Sequence, residues 1–365
     1  MELGNIYKKA LELKPLTFEE SFLLYTKSPT SELTFVANEI RKIKKKDTKK
    51  VGWIIDRNVN ITNVCIAQCK FCNFCRTKNS DDAYITTIEE YHQKIEEMIN
   101  LGGNQLLLQG GMHPDLGLEF YKDLFSSLKK DFPDIKLHAL SPTEIVHIST
   151  KAKKSYKETL EELIESGLDS LPGAGAEILV DRVRNIVSPA KCTAQQWLDV
   201  MKVAHQINIP TSATMMFGFI ETIQERIEHI LKIRDLQSQK PTGHWGFITF
   251  VPWPYQPENT KLKKMYPHLQ QASSVEYLRL LAISRILLNN VENIQASWLT
   301  VGKEVGQISL YSGANDLGSI MIEENVVSAA GAKYQMDAKQ MQNTIREAGF
   351  IPVLRNQKYE YLELT

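Results

Sequence analysis

The sequence lacks both a net charge and a long apolar segment. Its 365 residues contain 43 Lys and Arg against 43 Asp and Glu, so the formal net charge is zero. A balanced charge provides no field that would favour DNA, RNA or an anionic membrane. No run approaches the roughly 20 apolar residues that a membrane-spanning helix needs, and MELGNIYKKALELKPLTFEE at the start lacks the apolar core of a signal peptide. We therefore expect a cytoplasmic protein that binds neither nucleic acid nor membranes.

Cysteine is also scarce, but its distribution is uneven. Of five cysteines, Cys65, Cys69, Cys72 and Cys75 fall within NITNVCIAQCKFCNFCRTKN, whereas Cys192 stands far away. The cytosol keeps thiols reduced. Four thiols in one loop of such a chain therefore indicate metal or redox chemistry more than a disulfide framework.

Short apolar or alternating runs recur along the chain, separated by amphipathic helical patterns such as TIEEYHQKIEEMINLGG and ETLEELIESG. Strands that alternate with helices are typical of parallel β/α units. Eight such units predict a (β/α)8 TIM-type barrel of the α/β class, although a doubly wound open sheet fits the same pattern. The predicted strands are GWIIDRNVNITN, QLLLQGG, KLHALSP, LDSLPGAG, IPTSATMMFG, HWGFITFVPW, IQASWLTVG and QISLYSGAN.

The chain ends are predicted to add to the barrel without forming a second independent domain. Residues 1–48 are expected to form helices packed on the barrel. The core is expected at 51–285, and the last barrel strands with their substrate-side loops at 286–330. Residues 331–365 are expected to form a C-terminal extension with a closing helix and a short β-like end.

Alternation within the predicted strands indicates a polar barrel interior. Successive side chains of a strand point to opposite faces, so in NVNITN the apolar Val59 and Ile61 oppose Asn58, Asn60 and Thr62. The same alternation separates Gln105, Gln109, Ser212, Thr214, Gln295 and Ser297 from apolar neighbours. Because the outer face packs on helices, the polar set should face the lumen. Unpaired polar groups are costly when buried, so we expect a polar ligand there, unless these groups pair with each other or with water.

The cysteine spacing distinguishes among metal sites. Structural zinc sites usually take two cysteine pairs that are well separated in sequence, and this loop has no second pair elsewhere. A thioredoxin-like redox pair would leave two cysteines unexplained. An iron–sulfur cluster fits better, since thiolates are its preferred ligands. Three thiolates on a four-iron cube would leave one iron open, which suits catalysis.

The motif Cys-x3-Cys-x2-Cys, formed by Cys65, Cys69 and Cys72 directly after the first strand, resembles the signature of the radical S-adenosylmethionine superfamily. The resemblance implies a [4Fe-4S] cluster whose open iron binds S-adenosylmethionine. One electron from the cluster then releases a 5′-deoxyadenosyl radical. A fourth ligand would close the open iron, so Cys75 is interpreted as a bystander at the start of the next helix and Cys192 as structural.

Further cofactor-binding residues follow from the same resemblance. The turn Gln109, Gly110 and Gly111 resembles the glycine-containing turn whose backbone binds the methionine amino group. Ser141 ends the third strand and is a further candidate. LPGAGAE places Glu177 after strand four, and MFGFIET places Gly218 and Glu221 after strand five.

Longer stretches resemble the cyclic dehypoxanthinyl futalosine synthases of menaquinone biosynthesis, over about residues 51–350. They include IIDRNVNITNVC, QLLLQGGMHPDL, KLHALSPTEI, GLDSLPGAGAEILVDRVR, FVPWPYQPENT and GANDLGSIMIEENVVSAAG. The resemblance implies that the radical takes hydrogen from ribose C4′ of dehypoxanthine futalosine. The resulting carbon radical attacks the benzoate ring, and loss of one electron and one proton restores aromaticity. It also implies an electron donor such as flavodoxin or ferredoxin.

Several polar residues are candidates for handling this substrate. His113, Asp316 and Glu323 are the catalytic candidates, as possible acceptors of the last proton. Asn58, Asn60, Thr62, Ser297 and Asn315 are the substrate-binding candidates. Asn315 and Asp316 lie in GAND, which is predicted to follow the eighth strand at the face where barrel active sites form. Arg57 and Arg285 could meet the substrate carboxylate.

Two other functions fit the sequence. The first is a deazaflavin (FO) synthase-type or aminofutalosine synthase-type enzyme with the same cluster. The second is a metal-binding or electron-transfer protein without catalysis, against which the polar lumen argues.

Overall fold

The computed structural model describes residues 2–331 and 334–362, and this part of the chain forms a ring of eight parallel strand positions. β1 and β2 are two halves of one long strand interrupted at Ile55, and β10 lies outside the ring. The strands are β1 (Lys50–Ile54), β2 (Asp56–Asn60), β3 (Gln105–Gln109), β4 (Lys136–Ala139), β5 (Leu168–Ser170), β6 (Thr211–Phe217), β7 (Phe247–Pro254), β8 (Asn293–Ile294), β9 (Asp316–Ser319) and β10 (Ile351–Leu354).

Hydrogen bonds connect the strands around the whole ring. One group has the order β2-β3-β4-β5 and another the order β6-β7-β8. A parallel bridge from Leu171 to Thr211 joins these two groups, and one from Gln295 to Asp316 joins the end of β8 to β9. β9 then pairs with β1, which closes the ring. The predicted (β/α)8 barrel is therefore confirmed over the open sheet.

Helices surround the ring and connect its strands. Those preceding the barrel are α1 (Leu3–Leu11), α2 (Phe18–Lys27) and α3 (Thr30–Lys44). Those that follow are α4 (Ile88–Asn100), α5 (Leu118–Asp131), α6 (Pro142–Ala152), α7 (Tyr156–Glu165), α8 (Asp181–Val187), α9 (Ala194–Gln206), α10 (Ile223–Ser238), α11 (Lys261–Met265), α12 (Ser274–Leu287), α13 (Trp298–Val301), α14 (Lys303–Ser309) and α15 (Ala338–Glu347). None of the helices in residues 2–331 and 334–362 is long and apolar enough to cross a membrane.

Local sequence signals explain where the connecting helices begin. In a capping box, a Ser or Thr side chain accepts from the backbone N–H three residues later, and a Glu or Gln side chain returns the bond. Thr87, Ser155, Thr193 and Thr222 begin α4, α7, α9 and α10 in this way. Such a cap typically contributes about 1 kcal/mol to helix stability. These helices bury their apolar faces against the outside of the barrel.

The N-terminal helices pack along the outside of α10 and α12, and the tail packs against β1. α3 packs on α12, and the Asn289 amide donates to the Leu13 carbonyl over 2.7 Å. In the tail, α15 leads into β10, which pairs in parallel with β1. Of the predicted terminal segments, residues 1, 332–333 and 363–365 lie outside the described residues.

The predictions for the last two strands are partly wrong. In IQASWLTVG the strand stops early, and Trp298–Val301 is helical. QISLYSGAN contributes to helix α14, and the strand begins only at Asp316. The Ser309 and Ser312 hydroxyls donate to carbonyls four residues earlier, at 2.6 and 3.0 Å. These bonds satisfy the polar side chains within helical turns, although the sequence alternates like a strand. GAND therefore precedes its strand and lies at the opposite end of the barrel from the predicted one.

Candidate active site

The barrel encloses two adjoining cavities. The upper cavity, about 290 Å³, lies at the carboxyl ends of the strands and is lined by the cysteine loop. The lower cavity, about 300 Å³, lies within the barrel. Leu107, Gln109, Ala174, Glu177, Trp253 and Met321 line both. A ligand in the upper cavity would therefore lie next to a ligand in the lower one.

All four clustered cysteines border the upper cavity. The Cys65 sulfur accepts from the backbone N–H groups of Ala67 and Met112 at 3.4 and 3.3 Å. The Cys75 thiol beside it, together with these N–H groups, lowers the pKa of Cys65, against the opposing effect of burial. Burial raises the pKa of Cys69 to about 12. Metal binding would remove such a proton, because a coordinating thiol is deprotonated.

The thiols surround a space instead of meeting at a point. Among residues 2–331 and 334–362, no three His, Cys, Asp or Glu side chains converge where one metal ion could bind. Cys65 and Cys72 are partly exposed and Cys69 is buried, all along the same cavity. Three thiol groups on one cavity wall are the kind of donor set that an iron–sulfur cluster takes. The donor set therefore fits an iron–sulfur cluster.

A glycine turn after β3 supports the cysteine loop. The Gly111 N–H donates to the Thr62 carbonyl at 2.8 Å. A Cβ at Gly111 would lie 2.1 Å from the Val64 carbonyl oxygen and 2.8 Å from the Cys65 Cβ. Only glycine permits this approach, so the turn and the first cysteine are fixed together.

Four non-glycine residues at or next to the upper cavity have a left-handed backbone conformation. Gln68 in the cysteine loop, Leu140 before Ser141, Glu177 and Met321 all have positive φ angles, between 39° and 64°. Such conformations cost a non-glycine residue on the order of 1–3 kcal/mol and often occur at functional sites. Glu177 and Met321 line both cavities, so the strain lies where the two cavities meet.

Glu177 is part of a buried ion-pair network. Its carboxylate accepts from Lys191 at 2.7 Å and from Arg184 at 3.5 Å. Arg184 also donates to the carbonyls of Gly175 and Ala176, which fixes the loop after β5. The Lys191 ammonium lies 5.4 Å from the centre of the Phe71 ring, within the cysteine loop. The network therefore connects the loop after β5 to the cysteine loop.

The predicted orientation of the polar strand residues is confirmed for most of them. Asn58, Asn60 and Gln109 line the upper cavity, and Gln105, Gln109, Ser212, Thr214, Gln295 and Ser297 line the lower one. Thr62 is the exception. Its hydroxyl donates to the Tyr84 carbonyl at 2.6 Å and accepts from Val64 N–H, so it orders the loop outside both cavities.

Charged side chains close the lower cavity at the N-terminal end of the strands. Asp56 accepts from the Ser319 hydroxyl and, at 3.1 Å, from the Gln105 amide. Burial raises the pKa of the Asp56 carboxyl. The Arg355 guanidinium stacks 3.6 Å from the Tyr359 ring centre. These groups give the lower cavity a polar end opposite the cysteines.

His138 places an imidazole in the wall of the lower cavity. Its Nδ1 lies 2.7 Å from the Ser170 hydroxyl on the neighbouring strand. Burial lowers the pKa of His138 to about 4, and Arg355 acts in the same direction. The imidazole is therefore neutral near pH 7.

Two known family models together match most of the chain. The family model for the radical SAM superfamily matches residues 59–233, and the model for the CofH/MqnC C-terminal region matches residues 244–365. The cyclic dehypoxanthine futalosine synthase of Streptomyces coelicolor is 43% identical over 363 residues, which cover 99% of this chain and 89% of that protein. The chain belongs to the radical SAM family.

Two other relatives also align with nearly the whole of this radical SAM chain. The cyclic dehypoxanthine futalosine synthase of Halalkalibacterium halodurans is 40% identical, over 99% of this chain and 95% of that protein. A 5-amino-6-(D-ribitylamino)uracil–L-tyrosine 4-hydroxyphenyl transferase of Methanosarcina mazei is also 40% identical, over 94% and 90%. Membership of the radical SAM family implies a [4Fe-4S] cluster and S-adenosylmethionine.

Solved structures share the fold of this radical SAM chain at low identity. Methylornithine synthase (PylB) aligns with a TM-score of 0.71 at 17% identity, over 95% of this chain and 97% of that one. HydG, a maturase of the [FeFe]-hydrogenase, aligns with a TM-score of 0.76 at 17% identity, over 98% and 77%. These likenesses support the barrel and nothing finer.

Most residues predicted to contact cofactor or substrate are brought together in the radical SAM barrel. The upper cavity contains the predicted Cys65, Cys69, Cys72, Gln109, Gly110, Gly111, Ser141, Glu177, Asn58 and Asn60, and the lower cavity contains Ser297. Ser141 also caps α6 by accepting from the Glu144 N–H. Cys192 is buried beside Thr143 and Arg184. Cys75 precedes a long loop, since α4 begins only at Ile88, so its predicted place at a helix start is wrong.

Of the three catalytic candidates, Asp316 lies at the opposite end of the barrel from the predicted one, and His113 and Glu323 lie outside both cavities. His113 lies outside both cavities, where its Nδ1 accepts from Asp115 N–H and its carbonyl contacts His147. Asp316 is buried at the N-terminal end of the barrel and pairs with Arg355. Glu323 pairs with Lys94 and with Arg57, on the outer side of the loop after β9. Each group is therefore committed to a structural contact.

Other predicted site residues also form contacts outside the two cavities. Glu221 accepts from Gly218 and Phe219 N–H and from Arg226, so Gly218 and Glu221 form a closed turn outside both cavities. Asn315 accepts from Arg285 at 2.6 Å and from the Ile294 N–H, at the N-terminal end of the strands. Arg57 and Arg285, which could have met the substrate carboxylate, instead pair with other side chains and do not line the lower cavity.

Sequence reasoning did not identify four of the residues that border the cavities. His138 alternates with Leu137 and Ala139, so the same two-residue periodicity could have placed it in the lumen. Asp56 belongs to the same alternation as Asn58. Glu144 and Lys191 lie beyond their strands, in a helix and a loop, where no pattern of the sequence indicates which way a side chain points.

Proposed function

We propose that this chain is a cyclic dehypoxanthine futalosine synthase. The observation that carries the proposal is its 43% and 40% identity, over nearly the whole length, to two proteins of that name. Dehypoxanthine futalosine is the substrate, and ring closure of ribose C4′ on the benzoate ring is the reaction. The enzyme acts in the cytoplasm, without nucleic acid or membrane, and receives electrons from a flavodoxin or ferredoxin.

Cys65, Cys69 and Cys72 hold the cluster in the upper cavity, and S-adenosylmethionine binds beside it. Together these groups supply a 5′-deoxyadenosyl radical when bound. The backbone of Gln109, Gly110 and Gly111 contacts the methionine end, because this turn is packed directly against Cys65. Ser141 and Glu177 complete the wall. A structure with S-adenosylmethionine at the opposite end of the barrel would contradict this arrangement.

The substrate occupies the lower cavity. Its ribose lies at the junction of the two cavities, near Trp253 and Met321, because the hydrogen of C4′ must face the radical source. Asn58 and Asn60 on one side and Ser297 on the other provide hydrogen bonds to its hydroxyl groups. Holding reacting atoms in contact and excluding water would account for most of the rate gain.

His138 accepts the proton that the aromatic ring loses after closure. It lines the lower cavity, and its Nδ1 lies 2.7 Å from the Ser170 hydroxyl. When the proton of the neutral imidazole is on Nδ1, Nε2 is the acceptor. The predicted bases His113, Asp316 and Glu323 lie outside that cavity. A proton acceptor inside the cavity removes the need for water to enter it.

The second candidate function is that of the Methanosarcina mazei relative, a 4-hydroxyphenyl transferase, which is 40% identical over 94% of the chain. Anaerobic incubation with reductant and S-adenosylmethionine would separate the two. Dehypoxanthine futalosine deuterated at C4′ is expected to give a cyclised product and deuterium in 5′-deoxyadenosine. Turnover only of 5-amino-6-(D-ribitylamino)uracil with tyrosine would replace the proposed function by the second one.

A further inference from the structure

Two buried polar atoms at the deep, N-terminal end of the lower cavity have no hydrogen-bond partner. Gln105 begins β3 and Thr249 lies near the start of β7; both line this cavity and are 5% and 4% exposed. The Gln105 amide nitrogen donates to Asp56, but within the described chain its Oε1 and the Thr249 hydroxyl have no partner. Because β3 and β7 lie on opposite sides of the eight-stranded ring, the two side chains enter the lumen from opposite sides.

The charged groups at this end provide no free cation for an anionic ligand. Arg355 is the only Lys or Arg among the described residues that line the lower cavity, and Asp316 already binds it through two hydrogen bonds. Asp56 lies beside Gln105, and burial raises the pKa of its carboxyl. A second ionised carboxylate here would lack a counter-charge and would be close to Asp56, which is costly in a buried site. The deep end therefore suits a neutral polar group.

The two unpaired atoms also indicate what this neutral group must offer. An amide oxygen only accepts hydrogen bonds, so the ligand must donate one to Gln105. A hydroxyl donates as well as accepts, and the proton of Thr249 is free because the nearby Tyr359 hydroxyl donates to Gln295 Oε1, at 3.1 Å. A neutral carboxylic acid meets both requirements, since its O–H donates and its C=O accepts. A carboxamide also meets them, whereas a ketone has no donor.

We propose that Gln105 and Thr249 bind the carboxyl group of the substrate in its neutral, protonated form. The proposal rests on the proposed function for the identity of the substrate, whose aromatic ring carries that carboxyl group. His138 pairs in register with Leu107, which borders both cavities, and Gln105 lies two residues deeper on the same strand. With ribose C4′ at the junction of the cavities, the ring lies at the level of His138 and its carboxyl group reaches the deep end. The substrate takes up one proton from solvent as it binds.

The test compares three ligands that differ only at this group: dehypoxanthine futalosine, its carboxamide, and the methyl ketone in which CH3 replaces the acid O–H. Equilibrium dialysis against the cluster-loaded, unreduced protein with S-adenosylmethionine measures each affinity at pH 7. We expect the carboxamide to bind at least as tightly as the acid, because it needs no proton. The methyl ketone should bind about tenfold more weakly than the carboxamide, because it lacks the donor for Gln105. A carboxamide that binds more weakly than the acid, or a methyl ketone that equals the carboxamide, would overturn the proposal.

A substitution separates ligand binding from a structural role. Thr249→Val keeps the shape of the side chain and removes the hydroxyl, so affinity for the acid and for the carboxamide should fall about tenfold. Urea unfolding of the cluster-free protein should show no loss of stability, because the removed hydroxyl has no partner in the folded chain. Unchanged affinity, or a marked loss of stability, would overturn the proposal.

Thr214→Val is the matched control. Thr214 lines the same cavity, but its hydroxyl already donates to the Gly173 carbonyl at 2.7 Å, so ligand affinity should stay within about threefold of the wild type. Product analysis distinguishes this proposal from the proposed function. Absence of cyclised product, while the three ligands keep the expected order of affinity, would count against the proposed function alone. Formation of the product with the acid bound more tightly than the carboxamide would count against the neutral carboxyl site alone.

Discussion

Arg355 binds Asp316 through two hydrogen bonds, with Nε 2.6 Å from Oδ2 and Nη2 2.9 Å from Oδ1. Both side chains are almost fully buried. The pair joins the tail to β9 and closes the barrel at the end opposite the cysteine loop. A residue that the sequence suggested as a catalytic group is therefore part of the barrel's closure.

The first prediction concerns this ion pair. Asp316→Ala should lower the free energy of unfolding by about 3–5 kcal/mol, because it leaves the Arg355 charge buried without its partner. Urea unfolding of the cluster-free protein measures the effect. Asp235→Ala removes an exposed carboxylate on α10 and should stay within about 0.5 kcal/mol of the wild type. Normal stability combined with lost activity would instead support a catalytic role for Asp316.

The second prediction concerns the cysteines. Replacing Cys65, Cys69 or Cys72 by Ala should abolish cluster assembly, because each is expected to bind one iron. Cys75→Ala should leave iron and sulfide content largely intact, and is the matched control because it lies in the same loop. Loss of the cluster in Cys75→Ala, or a fully loaded cluster in Cys72→Ala, would contradict this ligand set.

The third prediction concerns the turn after β3. Gly111→Ala should move the cysteine loop, since its Cβ would overlap the Val64 carbonyl, which is backbone and cannot rotate away. We expect reduced iron content after reconstitution and lower stability. Gly4→Ala, in α1 with no atom within 4 Å of the added Cβ, should be neutral or stabilising by up to about 1 kcal/mol. Full iron content in Gly111→Ala would disprove the close-contact explanation.

The fourth prediction concerns His138. His138→Gln should lower kcat for the cyclised product by about 10²–10⁴, the usual contribution of a general base. Deuterium transfer from C4′ to 5′-deoxyadenosine should persist, because it precedes proton loss. His113→Gln should change kcat only several-fold, since His113 lies outside both cavities. If His138→Gln abolishes deuterium transfer as well as formation of the cyclised product, the residue positions the substrate instead.

The fifth prediction concerns stability against pH. Burial lowers the pKa of His205 to about 3, against about 6.5 in the unfolded chain. Between these values the unfolded state binds a proton that the folded state does not, so stability falls as the pH falls. The loss from this group is about 1.4 kcal/mol per pH unit.

Urea unfolding at pH 7 and pH 5 tests this dependence. The wild type should lose up to about 2 kcal/mol more than His205→Gln between the two values, because one proton is taken up over about 1.5 pH units. His268→Gln, which removes an exposed imidazole, is the control and should lose as much as the wild type. Equal losses in all three proteins would mean that His205 does not titrate as stated.

The sequence predicted the barrel and much of the upper cavity because both depend on local patterns. Alternation with a period of two identified Asn58 and Asn60 as lumen residues, since strand geometry leaves no other choice. The cysteine spacing identified the loop that borders the upper cavity. In both cases the relevant residues are close in sequence.

The remaining errors arise where a local pattern fits more than one structure or where no pattern is present. Asp316 was placed at the wrong end of the barrel because the eighth strand was predicted at QISLYSGAN, before GAND, whereas the strand begins at Asp316. Ser309 lies in a stretch that alternates like a strand, but its hydroxyl bonds to a carbonyl of its own helix. Glu144 became recognisable only when the lining of the upper cavity was known.

The pairing of β9 with β1 also determines the order of events during translation. Ser319 and Asp56, whose hydrogen bond crosses this seam, are 263 residues apart. A nascent chain on the ribosome must therefore keep the first strand unpaired on that side until β9 has been made. Closing so long a loop carries an entropic cost and slows folding. During that interval the open edge of the first strand is exposed to pairing with other chains.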